Sequence, residues 1–289
     1  LSCISLSLFI VVIYGFMQAF LGIGLTSEQI VWTDGAMFPG LKTRVFSTWQ
    51  NPNLLGGYFD LMLGLMAGMF LLIKHKIVRI VIAVLFCLTA FCLTLTYARG
   101  ACLSIALVIF VYSILYNRKV LLALIGLAVI LLLSDATLVD RMTSIFTKMD
   151  TSSEMRLAFW ESTIAMILDH PLLGIGWGSY FMVYPNYDYY MQGNFIKIVH
   201  AHNMYLNFMA EIGLFGFASY MVCFFGVIYK AFKAQVMKLD ILVKAMFLGI
   251  GLGLSALALN GFTDYVMFNT ELSMLVWLFS GIVVSGYKN

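Results

Sequence analysis

Residues 51–79 read NPNLLGGYFDLMLGLMAGMFLLIKHKIVR, and the reading of this stretch decides the class of fold. From Asn53 to Ile73 the only charged residue is Asp60, and Lys74, Lys76 and Arg79 follow directly. A helix needs about 20 apolar residues to cross the hydrocarbon core of a bilayer, and this run supplies them. A basic turn after such a run marks a cytoplasmic connection. Outward from it the pattern recurs, with apolar runs at 1–25, 77–96, 101–116, 120–134, 203–229, 241–260 and 272–287. Arg118 and Lys119, then Lys230, Lys233 and Lys238, and finally Lys288 fall on the same side as the first basic turn. Only one carboxylate, Asp240, joins them there.

Composition agrees. The 289 residues are 62% hydrophobic and 11% charged, with a mean hydropathy of +0.95; a soluble domain carries about 25% charged residues. A chain this apolar cannot cover its own surface with polar groups and must use lipid as part of its solvent. That excludes a soluble enzyme, a disordered chain and a disulfide-stapled secreted domain. A net charge of +3, spread along the chain, does not suit nucleic acid. The five cysteines all lie in apolar runs without C-x-x-C or zinc spacing, so they read as small buried hydrophobes.

The fold expected is an all-α polytopic membrane protein of about eight spans. It divides into N-terminal helices (1–134), one large outward-facing loop (135–202) and C-terminal helices (203–289). The opening Leu1-Ser2-Cys3 is already apolar and has no basic segment or cleavage site, so it reads as a boundary cut within a membrane helix.

The large loop has structure of its own. Thr151 and Glu154 have the spacing of a capping box. After them Leu157, Trp160, Ile164, Ile167 and Leu168 share one helical face, until His170-Pro171 stops the helix, so an amphipathic helix is expected to lie against the membrane face or the bundle. Arg156 in the first turn gathers positive charge where the helix N-terminus is already positive, which suits either a bound anion or a solvated surface arginine. Gly174-Ile175-Gly176-Trp177-Gly178 lacks the preceding strand a nucleotide loop needs, so its glycines read as tight turns. Tyr180, Tyr184, Tyr187, Tyr189 and Tyr190 fit either an interfacial aromatic belt or a stacking surface for sugar rings.

His200-Ala201-His202-Asn203 leads into the next span. Histidines at i and i+2 do not share a helical face, so no helical metal pair is expected, while a neutral imidazole there suits either a general base or an ordinary interfacial residue. With a helix running from residue 200, Glu211 would fall near the face of His200, three turns on. Glu211 lies in an apolar run, where an ionised group costs about 3 kcal/mol; Asn207 is its nearest candidate partner. Arg99, between two long runs, suits either headgroup snorkelling or diphosphate capture through its planar donor fork. Arg44 is a further outward cation, and Asp60 is an intramembrane carboxylate and so a candidate site residue. Asp264 reads as loop-exposed.

Asn51-Pro52-Asn53, Arg99-Gly100-Ala101, Arg156…Trp160…His170-Pro171-Leu172-Leu173-Gly174-Ile175-Gly176, and His202-Asn203-x-Tyr205-Leu206 with Glu211-x-Gly213 together resemble the bacterial O-antigen ligase and polymerase superfamily. Their order and spacing match over roughly residues 44–225. Family members have about a dozen spans, so three or four N-terminal helices are missing by that comparison. The resemblance implies a GT-C-like bundle acting as an inverting glycosyltransferase without metal or other cofactor. It would work at the outer face of the bacterial cytoplasmic membrane on a glycan carried by undecaprenyl diphosphate, with a glycan or lipid-core hydroxyl as acceptor. Carried over by position, Arg99 and Arg156 hold the diphosphate and His202 activates the acceptor. Arg44, Asn53, Asp60, Trp160, His200, Asn203 and Glu211 stand as supporting candidates. Two readings from other classes are a small-anion, bicarbonate-like transporter and a non-catalytic scaffold of a polysaccharide assembly complex.

Overall fold

A computed structural model describes residues 2–25, 43–116, 118–134, 136–147, 151–188 and 198–287. Among these residues there is no strand, and the helices in chain order are α1 (Ser2–Leu21), α2 (Pro52–Leu72), α3 (Lys76–Leu95), α4 (Arg99–Tyr116), α5 (Arg118–Ser134), α6 (Ala136–Thr147), α7 (Thr151–Asp169), α8 (Tyr180–Val183), α9 (Met204–Lys233), α10 (Ile241–Asn260) and α11 (Thr270–Ser285). Each of the eight apolar runs is helical. Among the described residues five helices are long and apolar enough to cross a membrane: α1, α2, α3, α9 with its short extension, and α10. The apolar parts of α4 and α11 are shorter. Tyr189, Tyr190 and Lys288 lie outside the described residues.

The centre of the bundle is α2 against α10, and small residues set their separation. A Cβ on Gly64 would overlap the backbone of Gly253, and one on Gly68 the backbone of Gly249. Both helices therefore carry a small-x-x-x-small pair facing the other, which lets backbones approach closely where no hydrophobic driving force exists between helices in lipid. Around this pair Leu8 and Val12 of α1, Leu93 of α3, Ile105 of α4 and Phe279 of α11 complete one core. Elsewhere α3 turns Ile77, Ile80, Val81 and Val84 outward. Cys3, Cys87 and Cys223 are likewise exposed, which corrects their reading as buried; only Cys92 is buried and Cys102 half-buried.

The run 203–229 is not one straight helix. Gly213 sits at φ 61°, ψ −173°, and α9 bends there. Phe208 and Tyr220 are 12 residues apart, about 18 Å along a straight helix, yet their rings meet at 4.2 Å. Breaking a helix frees backbone groups that must find partners, and the segment after α7 supplies them. Leu214 N–H donates to Pro171 O at 2.9 Å, while Ile175 and Gly176 N–H donate to Ala210 and Glu211 O, each at 2.9 Å. Gly174 (φ +71°) has no room for a Cβ against Glu211, nor Gly213 against Leu172. The Pro171–Gly176 run is thus the other half of the bend.

This arrangement anchors a second, smaller core of Phe159, Met166, Tyr180, Tyr184 and Ala201. The face of α7 turned to the protein is Phe159, Ser162, Thr163 and Met166, whereas Leu157, Ile164 and Leu168 are exposed. Of the two expected resting places for the apolar stripe, the bundle is thus taken by the opposite face, and Leu157, Ile164 and Leu168 are left to the membrane side. Thr163 is tolerated inside because its Oγ1 donates to Phe159 O and bonds Tyr180 Oη at 2.8 Å. Tyr180 and Tyr184 are core side chains, neither a belt nor a sugar platform.

Candidate active site

Three connections converge where α2 begins, α9 begins and α10 ends. Asn51 caps α2, its side chain accepting from Asn53 N–H at 2.8 Å. Asn203 caps α9, accepting from Tyr205 and Leu206 N–H at 3.0 Å each. The same Asn203 donates its amide to Phe262 O at 3.0 Å, and Met204 N–H donates to Gly261 O at 2.7 Å. Residues 200–203 are therefore fastened to residues 261–264, and α9 starts at Met204, so the helical register expected between His200 and Glu211 does not exist. Glu211 Oε1 instead accepts from Tyr180 N–H at 3.4 Å, and Asn207 gives its amide oxygen to Ala201 N–H at 3.0 Å.

The fastening brings His202 to Asp264. His202 Nδ1 lies 3.0 Å from Asp264 Oδ1, and Asp264 is 6% exposed, contrary to its reading as a loop-exposed acid. Its other oxygen accepts from Asn53 Nδ2 at 2.6 Å, and Tyr265 N–H donates to Oδ1 at 2.8 Å. Asn53 in turn receives a hydrogen bond on Oδ1 from Arg44 Nη2 at 2.7 Å, and Arg44 Nε donates to Thr96 O at 2.8 Å. A chain of charge-assisted bonds thus runs from Arg44 through Asn53 and Asp264 to His202.

Burial alone would raise the Asp264 pKa. The hydrogen bond from His202, with the charges of His202, Arg156 and His200, more than reverses this and holds the carboxyl below its ordinary value. Burial, reinforced by His202, lowers His200 to about 3 against the pull of Asp264. His200 Nδ1 accepts from the backbone N–H of His202 at 3.2 Å, and its ring stacks on Phe268 at 4.4 Å. It is a buried neutral support for the turn that holds His202 at φ 49°. The other non-glycine residues with positive φ among those described are Ser47, Gln50 and Tyr97. All four lie in the connections that meet here, which is where backbone strain tends to collect at functional sites.

From α7, Phe159 stacks against the His202 ring at 5.8 Å. One turn apart on α7, Arg156 Nε and Trp160 Nε1 are buried and have no hydrogen-bond partner. Buried donors are almost always satisfied, so a pair left open beside a His–Asp couple fits a place for an absent acceptor. Arg99, half-buried at the start of α4, is brought to this end by Gly100, which packs against Thr263 and Asn260 without room for a Cβ. Asp60 lies deeper, on the face of α2 that carries Asn53. It accepts from Asn260 Nδ2 at 3.0 Å through one oxygen, and its other oxygen is unpartnered.

The structure thus joins His202, His200, Asn203, Asn53, Arg44 and Arg156 at one place, and adds Asp264. Asp60 and Glu211 serve neighbouring parts of the fold. Asp264 carried a signal in its neighbours: Phe262, Tyr265, Val266 and Met267 are poor company for a solvated acid. His200, His202 and Asp264 could each offer one ligand atom to a metal, all within 4.8 Å of one another. Their atoms are largely committed to each other and to Asn53, so a cation would have to displace existing hydrogen bonds.

Residues 82–221 match the family model described as O-antigen ligase, supporting membership of the O-antigen ligase/polymerase family. No curated protein and no solved structure matches the chain.

Proposed function

We infer, from the match of residues 82–221 to the O-antigen ligase family model, that this chain transfers a glycan from undecaprenyl diphosphate to an acceptor hydroxyl. The observation that carries this reading is the His202–Asp264 pair with the open Arg156 donor beside it. With Nδ1–H held by Asp264, the proton-free nitrogen of His202 is Nε2, which faces the acceptor as general base. The acceptor oxygen attacks the anomeric carbon as its proton passes to Nε2. The bond from that carbon to the diphosphate oxygen breaks, and the diphosphate departs with the electron pair. One displacement inverts the anomeric centre. Arg156 and Arg99 take the growing negative charge, each worth about 1.5–3 kcal/mol through charge-assisted hydrogen bonds.

Asp264 fixes the imidazole tautomer and steadies the imidazolium. Asn53 and Arg44 hold Asp264 in turn. Trp160 adds a neutral donor next to Arg156. No metal is needed for these steps, since the leaving group is already an anion of good stability and two guanidinium groups face it.

Membrane placement follows from charge. Lys74, Lys76, Lys230, Lys233 and Lys238 lie at or beside the helix ends remote from His202, which by the positive-inside rule faces the active site outward from a bacterial cytoplasmic membrane. The role fits O-antigen or another surface-polysaccharide assembly, with a glycan or lipid-core acceptor.

The test is transfer by the full protein in liposomes, given a polyprenyl-diphosphate oligosaccharide and a candidate acceptor. A product ladder lost in His202→Ala marks a polymerase, and a single shifted band lost in the same variant marks a ligase. Product formed equally by His202→Ala would remove the general-base role. A folded wild-type protein inactive with several acceptors would favour anion transport or scaffolding.

A further inference from the structure

The end of α2 remote from His202 carries a second, chemically different feature. About 30 Å along the helix from Asn53, the turn into α3 borders an open hollow of about 260 Å³ lined by Phe70, Lys74, Lys76, Arg79, Ile80 and Ala83. Three of its six lining residues are cations and none is a carboxylate. Among the described residues no ion pair neutralises any of the three. The Arg79 guanidinium lies over the Phe70 ring, 4.7 Å from its centroid. Stacking restrains the guanidinium in a fixed orientation while leaving its edge N–H donors free. From the hollow, Ile77, Val81 and Val84 continue along α3 as an exposed apolar ridge, long enough to lie along an acyl chain.

We propose that this hollow binds the phosphate headgroup of an anionic phospholipid whose acyl chains lie along α3. The two halves of the site match the two halves of such a lipid. A free phosphate would use the cations but leave the ridge without a role. A zwitterionic phospholipid would use the ridge but bring its own cation to the basic turn. Basic hollows beside transmembrane helices recognise anionic headgroups by this combination. The site is independent of the glycan-transfer reading, because it lies in the opposite leaflet from His202.

Native mass spectrometry of the detergent-solubilised full chain tests the proposal, with phosphatidylglycerol and phosphatidylcholine of identical acyl chains titrated in parallel. The wild type is expected to bind phosphatidylglycerol several times more tightly. Removing the three charges should erase that preference, so Lys74→Gln/Lys76→Gln/Arg79→Gln should bind both lipids alike. Arg79→Lys, which keeps the charge and loses the stack, should fall between, and serves also if the triple variant does not fold. Equal binding of both lipids by the wild type would overturn the proposal. So would a preference that survives the triple variant, or one abolished equally by Lys230→Gln/Lys233→Gln at a different basic turn. Displacement of the lipid by millimolar inorganic phosphate would assign the hollow to free phosphate instead.

Discussion

At the scale of single residues, the candidate site sets two histidines two residues apart in opposite surroundings. His202 bonds an ionised, buried Asp264, and His200 is held neutral beneath it. Asp264→Asn should keep the hydrogen bond to the ring but favour the wrong tautomer, lowering kcat by about 10²-fold or more with KM little changed. Steady-state transfer kinetics check this; unchanged kcat would leave Asp264 a structural role. Acid stability reports on His200. Its folded pKa of about 3 lies below its ordinary value of 6.5, so between these the unfolded chain binds more protons. Stability from this group is therefore complete above pH 6.5 and is lost as pH falls, at up to about 1.4 kcal/mol per pH unit. Asp264 contributes the same sign of slope only below its own ordinary value of 3.8, so the two groups do not overlap in the window from pH 6.5 to 4. Melting of the wild type in detergent should drop across that window. His200→Asn, whose side-chain oxygen can still accept from His202 N–H, should flatten the curve there.

At the scale of elements, α9 is the lesson. Its hydropathy reads as one long span, and hydropathy is blind to a single glycine in the left-handed region. Gly213→Ala should therefore cost at least about 1 kcal/mol for the positive φ alone, and more because a Cβ meets the carbonyl of Leu172. Lowered melting temperature together with weakened transfer is the expected result; a variant as stable as wild type would mean that the bend is not required. The helices themselves were legible because a run of apolar residues between basic turns admits few alternatives. Arg156 and His202 were legible as parts of a motif. Asp264 was not, since its bond to His202 spans 62 positions of chain and neither residue shows that pairing locally. Which face of α7 meets the bundle was not legible for a related reason: Thr163 looks like a surface residue until Phe159 O and Tyr180 Oη are seen to satisfy it.

At the scale of the whole molecule, one close helix pair fixes the geometry of the site. Asn53 and Asp60 on α2 face Asp264 and Asn260 at the end of α10, and each rung pairs one amide with one carboxylate. Their register is set by the glycines packed deeper in the bundle. Gly68→Leu, about 15 residues from Asn53 and remote from any substrate, should separate α2 from α10, cost about 1–3 kcal/mol and reduce transfer in step with stability. Full transfer by this variant would show that the rungs hold without the tight packing below them. The bend in α9 carries a further consequence. Its amides and carbonyls are shared between a helix and a segment more than thirty residues earlier in sequence, so neither side can open alone without stranding the other. In hydrogen exchange the amides of Ile175, Gly176 and Leu214 should behave as one cooperative unit, slow together in the native protein and fast together once Gly213 is replaced, so that the second half of the membrane bundle and the loop that carries Arg156 unfold as a single piece.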